Sequence, residues 1–261
     1  MKSEKITFRN RTGANLGARV DLPDLGNPDH FALFAHCFTC TKNIKTIGHI
    51  NRALTNQGIA VLRFDFTGLG ESEGDFTETN FTTNVQDLIS AAEFLEKEYS
   101  APRLIMGHSL GGAAVLQAAS SIPSSVAVVT IATPSDPGHL KRLLRVHPDK
   151  IEQDGFAEIS IAGRSFKVKK QFFEDLEGSR MEERVQHLNR ALLILHSPAD
   201  RVVGIENAAR IFQAARHPKS FVSLDDADHL LLDEADGLYV GGLISAWARR
   251  YLEKSTRKPT Q

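Results

Sequence analysis

Apolar residues fall along this chain in two recurring patterns. Short continuous runs, at Phe31 to Ala35, Ile59 to Phe66, Leu104 to Met106, Val126 to Ile131 and Ala191 to Leu195, lack any polar alternation, as expected of strands covered on both faces. Between them, apolar residues recur at helical spacing. Ile44, Ile47, Ile50 and Leu54 form one face, with Gly58 closing the helix. Val85, Leu88, Ala92 and Leu95 form a second, and Ala208, Ile211, Phe212 and Ala215 a third. Leu243, Ile244, Trp247, Ala248, Tyr251 and Leu252 form the last. A further helix of small residues is expected from Ala113 to Ala119.

The chain opens differently. Ile6 and Phe8, then Leu16, Ala18, Val20 and Leu22, alternate about a turn at Thr12-Gly13-Ala14-Asn15, which predicts an antiparallel hairpin. Ser220 to Leu224 is the final strand, and the polar tail from Ser255 to Gln261 is expected to fray. A hairpin followed by repeated strand–helix units predicts an α/β fold, a mostly parallel eight-stranded sheet with helices on both faces.

The alternation pauses between residues 134 and 188. Leu140, Leu143 and Leu144 suggest a short helix. Ile159 to Val168 suggests a hairpin about Gly163, and Phe172, Phe173 and Leu176 a second short helix. An insertion of this size over strand ends predicts a lid. The expected organisation is one domain over 1–261 with a small lid at 134–188.

Composition narrows the function. Hydrophobic residues make up 41% and charged residues 24%, with net charge −1, the profile of an ordinary soluble globule. Neither a nucleic-acid footprint nor attraction to an acidic membrane surface is expected. The opening Met1-Lys2-Ser3-Glu4-Lys5 does not read as a signal peptide, and no apolar run reaches membrane-spanning length. Two cysteines make no disulfide framework, so the cytoplasm is the expected compartment. The partner expected is a small molecule, not a nucleic acid or a membrane; a homodimer stays open.

The candidate chemistry sits past the strand ends, where open α/β sheets bind ligands. Gly107-His108-Ser109-Leu110-Gly111 follows an apolar strand and precedes the small-residue helix, the context a nucleophile elbow needs. Ser109, Asp200 and His229 then occur in the order serine, acid, histidine. His229 would take the serine proton and return it to a leaving group; Asp200 would hold the imidazole tautomer. The amide of Leu110, at a helix N-terminus, and that of Phe38, after the third strand, are the expected oxyanion donors. His108, Leu69, Phe166 and Phe172 are expected in the substrate pocket, although the lid phenylalanines read first as lid core. His36 is expected to brace the oxyanion loop. Asp136, Asp225, Asp226 and Asp228 are rivals for the acid, and His108 is a rival for the base.

Cys37-Phe38-Thr39-Cys40 reads first as two thiols packed in the loop, with redox chemistry the minor reading. The spacing would suit half a metal site, but no second cysteine pair exists for zinc, so no metal and no cofactor is expected. Lys167, Lys169 and Lys170 read as a solvated face.

The triad with Gly68-x-Gly70-x-Ser72 resembles the α/β-hydrolase superfamily. Five further runs resemble the hydrolase half of bacterial proteins in which such a hydrolase is fused to an OsmC-like domain. They are His36-Cys37-Phe38-Thr39-Cys40, Leu62 to Gly70, Gly107 to Gly112, Ala162-Gly163-Arg164 and Arg216 to Phe221. The resemblance implies an α/β-hydrolase fold, serine-esterase chemistry without a cofactor, and a small lid. The oxyanion loop departs from the frequent His-Gly, having His36-Cys37. The peroxidase half of the fusions has no counterpart in this sequence, so peroxide chemistry is not carried over. The expected activity is hydrolysis of a small ester or thioester through an acyl-enzyme. An aminopeptidase-like hydrolase would need lid carboxylates such as Glu174, Asp175 and Glu177, and a non-catalytic binding module would have no use for an aligned base.

Overall fold

In the computed structural model, which describes residues 1–139, 151, 155–161 and 164–254, the opening alternation folds as an antiparallel hairpin. It joins β1 (Lys2–Arg9) to β2 (Asn15–Leu22), with Phe8 opposite Leu16. The apolar runs become β3 (His30–Ala35), β4 (Ile59–Phe64), β5 (Leu104–His108) and β6 (Ala127–Ile131). Within the inserted segment β7 (Phe156–Ile161) and β8 (Arg164–Lys169) pair as a separate antiparallel hairpin. β9 (Ala191–His196) and β10 (Lys219–Ser223) complete the main sheet. Its order among the described residues is β1-β2-β4-β3-β5-β6-β9-β10, with every pairing from β4 to β10 parallel.

The helices are α1 (Lys45–Thr55), α2 (Phe81–Glu98), α3 (Leu110–Ala118), α4 (Lys170–Glu177), α5 (Met181–Gln186), α6 (Glu206–Ala214) and α7 (Glu234–Lys254). They explain why the strands read as continuous apolar runs. Leu33 points into a core shared with Val85, Leu88, Ala113 and Ile211, whereas its neighbours Ala32 and Phe34 point into a second core with Ile47, Ile50, Val240 and Ile244. Each strand therefore needs apolar residues at both parities. The helix expected from Leu140, Leu143 and Leu144, the turn at Gly163 and the tail from Ser255 lie outside the described residues.

The site is set by topology. β3 leads through α1 to β4 on one side, and β5 leads through α3 to β6 on the other. The strand order reverses between β3 and β5, which opens a crevice beyond their carboxyl ends.

α3 starts at Leu110, earlier than the expected Ala113. Gly111 and Gly112 are poor helix formers, but packing decides here. A Cβ on Gly111 would run into the carbonyl oxygens of Ala35 and His36, one on Gly107 into the Gly111 carbonyl, and one on Gly112 into the Thr133 hydroxyl. Helix and strands therefore meet closer than any side chain permits. Gly111→Ala is expected to lower unfolding free energy by about 2–3 kcal/mol through overpacking. Gly242→Ala, on the exposed face of α7 with open space around it, is expected to raise it by about 0.5–1 kcal/mol. Urea unfolding of the two variants checks both signs.

Candidate active site

Ser109 has φ 53° and ψ −123°, a left-handed backbone that a side-chain-bearing residue adopts at a cost. Its amide donates to Ile131 O at 2.8 Å and its carbonyl accepts from Gly112 N at 2.9 Å. The backbone is thus fixed by β6 below and by α3 beyond, and the hydroxyl stands clear at the turn.

His229 lies in the loop between β10 and α7. Its Nδ1–H donates to Asp200 Oδ2 at 2.7 Å, leaving Nε2 to accept the Ser109 hydroxyl at 3.1 Å. Asp200 follows β9 and is 7% exposed. Its Oδ1 accepts from the amides of Val202 and Val203 at 2.8 and 2.9 Å. Burial alone would raise the Asp200 carboxyl. The His229 hydrogen bond and charge, with the two amides, more than offset that and hold it below its ordinary value.

Two histidines support this chain of contacts. His108, expected in the pocket, is instead buried behind His229. Its Nε2–H donates to His229 O at 2.7 Å, and the rings sit 5.1 Å apart. It borders a cavity with Phe34, Ile47, Ile131 and Leu231 on the α1–α7 side of the sheet, because side chains alternate along β5 and the one before the elbow turns away from Ser109. His196, not anticipated, is fully buried at the end of β9. Its Nε2–H donates to Val203 O at 2.7 Å and lies 3.5 Å from Asp200 Oδ2. Its place at a strand end was the available signal.

Across the crevice runs the turn 36–42. His36 is buried and its Nδ1–H donates to Cys37 O at 2.8 Å, so it does brace this turn. Cys37 and Cys40 form a disulfide, where two free thiols were the first reading. Among the described residues, the amides of Phe38 and Leu110 have no hydrogen-bond partner. Both residues border one small cavity with Leu69, Phe66, Phe76 and Phe81. From the inserted segment, the Phe172 ring lies 5.2 Å from that of Phe38, and Phe166 lies 5.8 Å from Phe76. Of the expected pocket residues Leu69 lines this cavity; Phe172, 1% exposed, packs behind Phe38 as lid core, Phe166 packs on Phe76, and His108 lies apart on the other face of the sheet.

Three of the four rivals for the acid are otherwise engaged. Asp228 Oδ1 accepts the amides of Leu230 and Leu232, Asp225 accepts the Ser223 hydroxyl, and Asp136 accepts Gly138 N. Asp175 accepts both the amide and the hydroxyl of Thr82, at 2.6 and 2.7 Å, anchoring α4 at the positive end of α2. Glu174 pairs with Lys170, Lys167 with Glu158 and Lys169 with Glu78. No group of His, Cys, Asp or Glu suited to a metal ion occurs among the described residues, and no helix among them is long and apolar enough to cross a membrane.

An eight-stranded sheet with a serine on an elbow after β5, a histidine after β10 and an acid after β9 defines a hydrolase of the α/β class. The chain belongs to the alpha/beta hydrolase family, whose model matches residues 30–240. It is 52% identical to the esterase domain of a Rhodothermus marinus protein, with a TM-score of 0.81 over 97% of this chain and 100% of that one. Est1E of Butyrivibrio proteoclasticus, solved with ferulic acid bound, shares the fold at 20% identity, with a TM-score of 0.82 over 95% of this chain and 99% of that one. The human palmitoyl-protein thioesterase ABHD10 is 23% identical over 250 residues, 87% of this chain and 78% of that protein.

The buried histidines make stability depend on pH. Burial, reinforced by the charge of His229, pushes His108 down to about 3, and burial likewise lowers His36. The unfolded chain binds these protons near the ordinary histidine value, and the folded chain does not. Stability is therefore full above about pH 6.5 and falls below it, by up to about 1.4 kcal/mol per pH unit for each histidine. Urea unfolding across the mildly acidic range should show this slope, and His108→Gln should remove the His108 share.

Proposed function

We propose that this protein is a serine hydrolase that cleaves a small carboxylic ester or thioester through an acyl-enzyme. The observation that carries the reading is the continuous Asp200–His229–Ser109 chain of hydrogen bonds; the unpartnered amides of Leu110, next to Ser109, and of Phe38, which borders the same cavity as Leu110, support it. The 52% identity to an esterase domain supports it.

Ser109 Oγ attacks the acyl carbon as its proton passes to His229 Nε2. Asp200 stabilises the imidazolium without taking the proton. The carbonyl oxygen becomes an oxyanion held by the amides of Phe38 and Leu110. When the intermediate collapses, Nε2–H protonates the departing alkoxide or thiolate. Water then attacks the acyl-enzyme by the same route and releases the acid.

The acyl group occupies the aromatic side of the crevice, among Leu69, Phe76, Phe166 and Phe172. The inserted segment, residues 134–188, acts as the lid that supplies Phe166 and Phe172. A small cavity lined by rings favours a short or flat acyl group over a long lipid chain.

A fluorophosphonate probe should label Ser109 in the wild type and fail in Ser109→Ala and His229→Ala. On p-nitrophenyl esters those variants should lose roughly a millionfold in kcat, and Asp200→Asn about ten-thousandfold. Across a p-nitrophenyl series, kcat/KM should peak between acetyl and butyryl and fall by octanoyl. Phe172→Ala should shift the optimum to longer chains. A wild type that neither labels nor turns over would sink the hydrolase reading.

A further inference from the structure

The Phe38 amide can meet an oxyanion only if the turn 36–42 keeps one shape, yet none of its residues lies in a strand or helix. Thr39 within it has φ 59°, a left-handed angle that a β-branched residue adopts only when its surroundings impose it. At the end of the turn Lys42 is completely buried. Its Nζ donates to Asp65 Oδ2 at 2.5 Å and to Glu71 Oε2 at 2.7 Å. Its own amide donates to Asp65 Oδ1 at 2.6 Å, and its carbonyl accepts from Arg63 Nη1 at 2.5 Å. Asp65 also accepts the Glu71 amide at 2.9 Å. Gly70, at φ 55°, is the residue that lets the following loop close over the Asp65 carboxylate, since a Cβ there would strike it.

A buried ion pair is a poor way to gain stability alone, because desolvation offsets most of the attraction, and two apolar side chains would often serve as well. What this pair adds is direction. Asp65 grips the main chain of Lys42 with one oxygen and its side chain with the other, so the end of the turn can neither slide nor rotate. The Cys37–Cys40 disulfide closes residues 37–40, Phe38 among them, into a ring that ends two residues before Lys42. A shift at Lys42 is therefore carried to residue 38, not absorbed on the way.

We infer that Lys42 is a positioning residue for the oxyanion hole: through its two-point hold on Asp65 it fixes the Phe38 amide, without touching substrate. The inference rests on the proposed serine-hydrolase reading, with Phe38 and Leu110 as the donors.

The test compares wild type, Lys42→Met and Lys42→Met/Asp65→Asn. The double variant leaves no unpaired buried charge, so it carries the test if the single variant folds poorly. Active sites are titrated with the fluorophosphonate, so that kcat refers to folded enzyme only. Turnover of p-nitrophenyl acetate is then read beside the affinity of a phenylboronic acid, whose tetrahedral serine adduct places an oxygen where the oxyanion forms. Expected is a fall in kcat of about a hundredfold, within the range for losing one oxyanion donor. The boronate affinity should fall in parallel, with KM changed less than about threefold and the pH–rate profile unmoved. A merely structural Lys42 would lower the melting temperature and the titrated fraction, but leave kcat per site and boronate affinity at wild-type values, and that result overturns the inference alone. A wild type that neither labels nor turns over overturns both the hydrolase reading and this one.

Discussion

The rest of the site depends on one close approach, between the first turn of α3 and the ends of β3 and β5. Gly107, Gly111 and Gly112 put no side chain of their own into that junction, and the carbonyls of Ala35 and His36 press directly on the helix. This contact forces Ser109 into its left-handed conformation and also sets how near the turn after β3 comes to the N-terminus of α3. The strained serine and the two free amides are therefore consequences of the same packing. The strain persists because the parallel sheet and the cores on its two faces over-determine it.

Around this rigid junction the polar groups are arranged in pairs that hold backbone as well as side chains. His108 holds the carbonyl of His229, His196 the carbonyl of Val203, and Asp65 the amides of Lys42 and Glu71. Each of these groups is buried, and each would be costly if left without a partner. By fixing the loop that carries a proposed catalytic group, they convert burial cost into geometry. The proposed base, the proposed acid and one proposed oxyanion donor come from three separate loops, and each loop has its own buried polar anchor. Loops are the mobile part of such folds, and reactive groups held to within half an ångström need this kind of support.

Much of the fold was legible because its physics is local. Parallel strands covered on both faces must read as apolar runs, and the helices between them show a 3.6-residue period, so the sheet, the opening hairpin and the strand-end positions of Ser109, Asp200 and His229 followed directly. What escaped notice depends on contacts distant in sequence. α3 begins on two glycines that propensity argues against, because tertiary packing requires them. α5 carries only Met181 and Val185 as a buried face, too little periodicity to detect. Lys42 and Asp65 are 23 residues apart, and one of them reads as a surface lysine until the turn is folded beneath it. His108 was named for the pocket although its position one residue before the elbow already pointed it away from the open side, and the alternation along β5 bears out that second reading.

The departure of His36-Cys37 from the frequent His-Gly raised the question of whether this loop could place an amide at all without a glycine. The backbone angles locate the difficulty elsewhere. Cys37 is not among the residues with positive φ, and the left-handed position falls on Thr39, between the two bonded cysteines. A glycine lowers the cost of such an angle by removing the side chain, but it also loosens the chain in every other conformation. Here the side chain is kept, and the angle is imposed from outside: by a covalent bridge across the turn, and by a buried ion pair at its end. The two solutions differ in kind. One makes the required conformation easy, and the other makes the alternatives hard. For a donor that must already be aimed before charge develops on the substrate, the second serves preorganisation better.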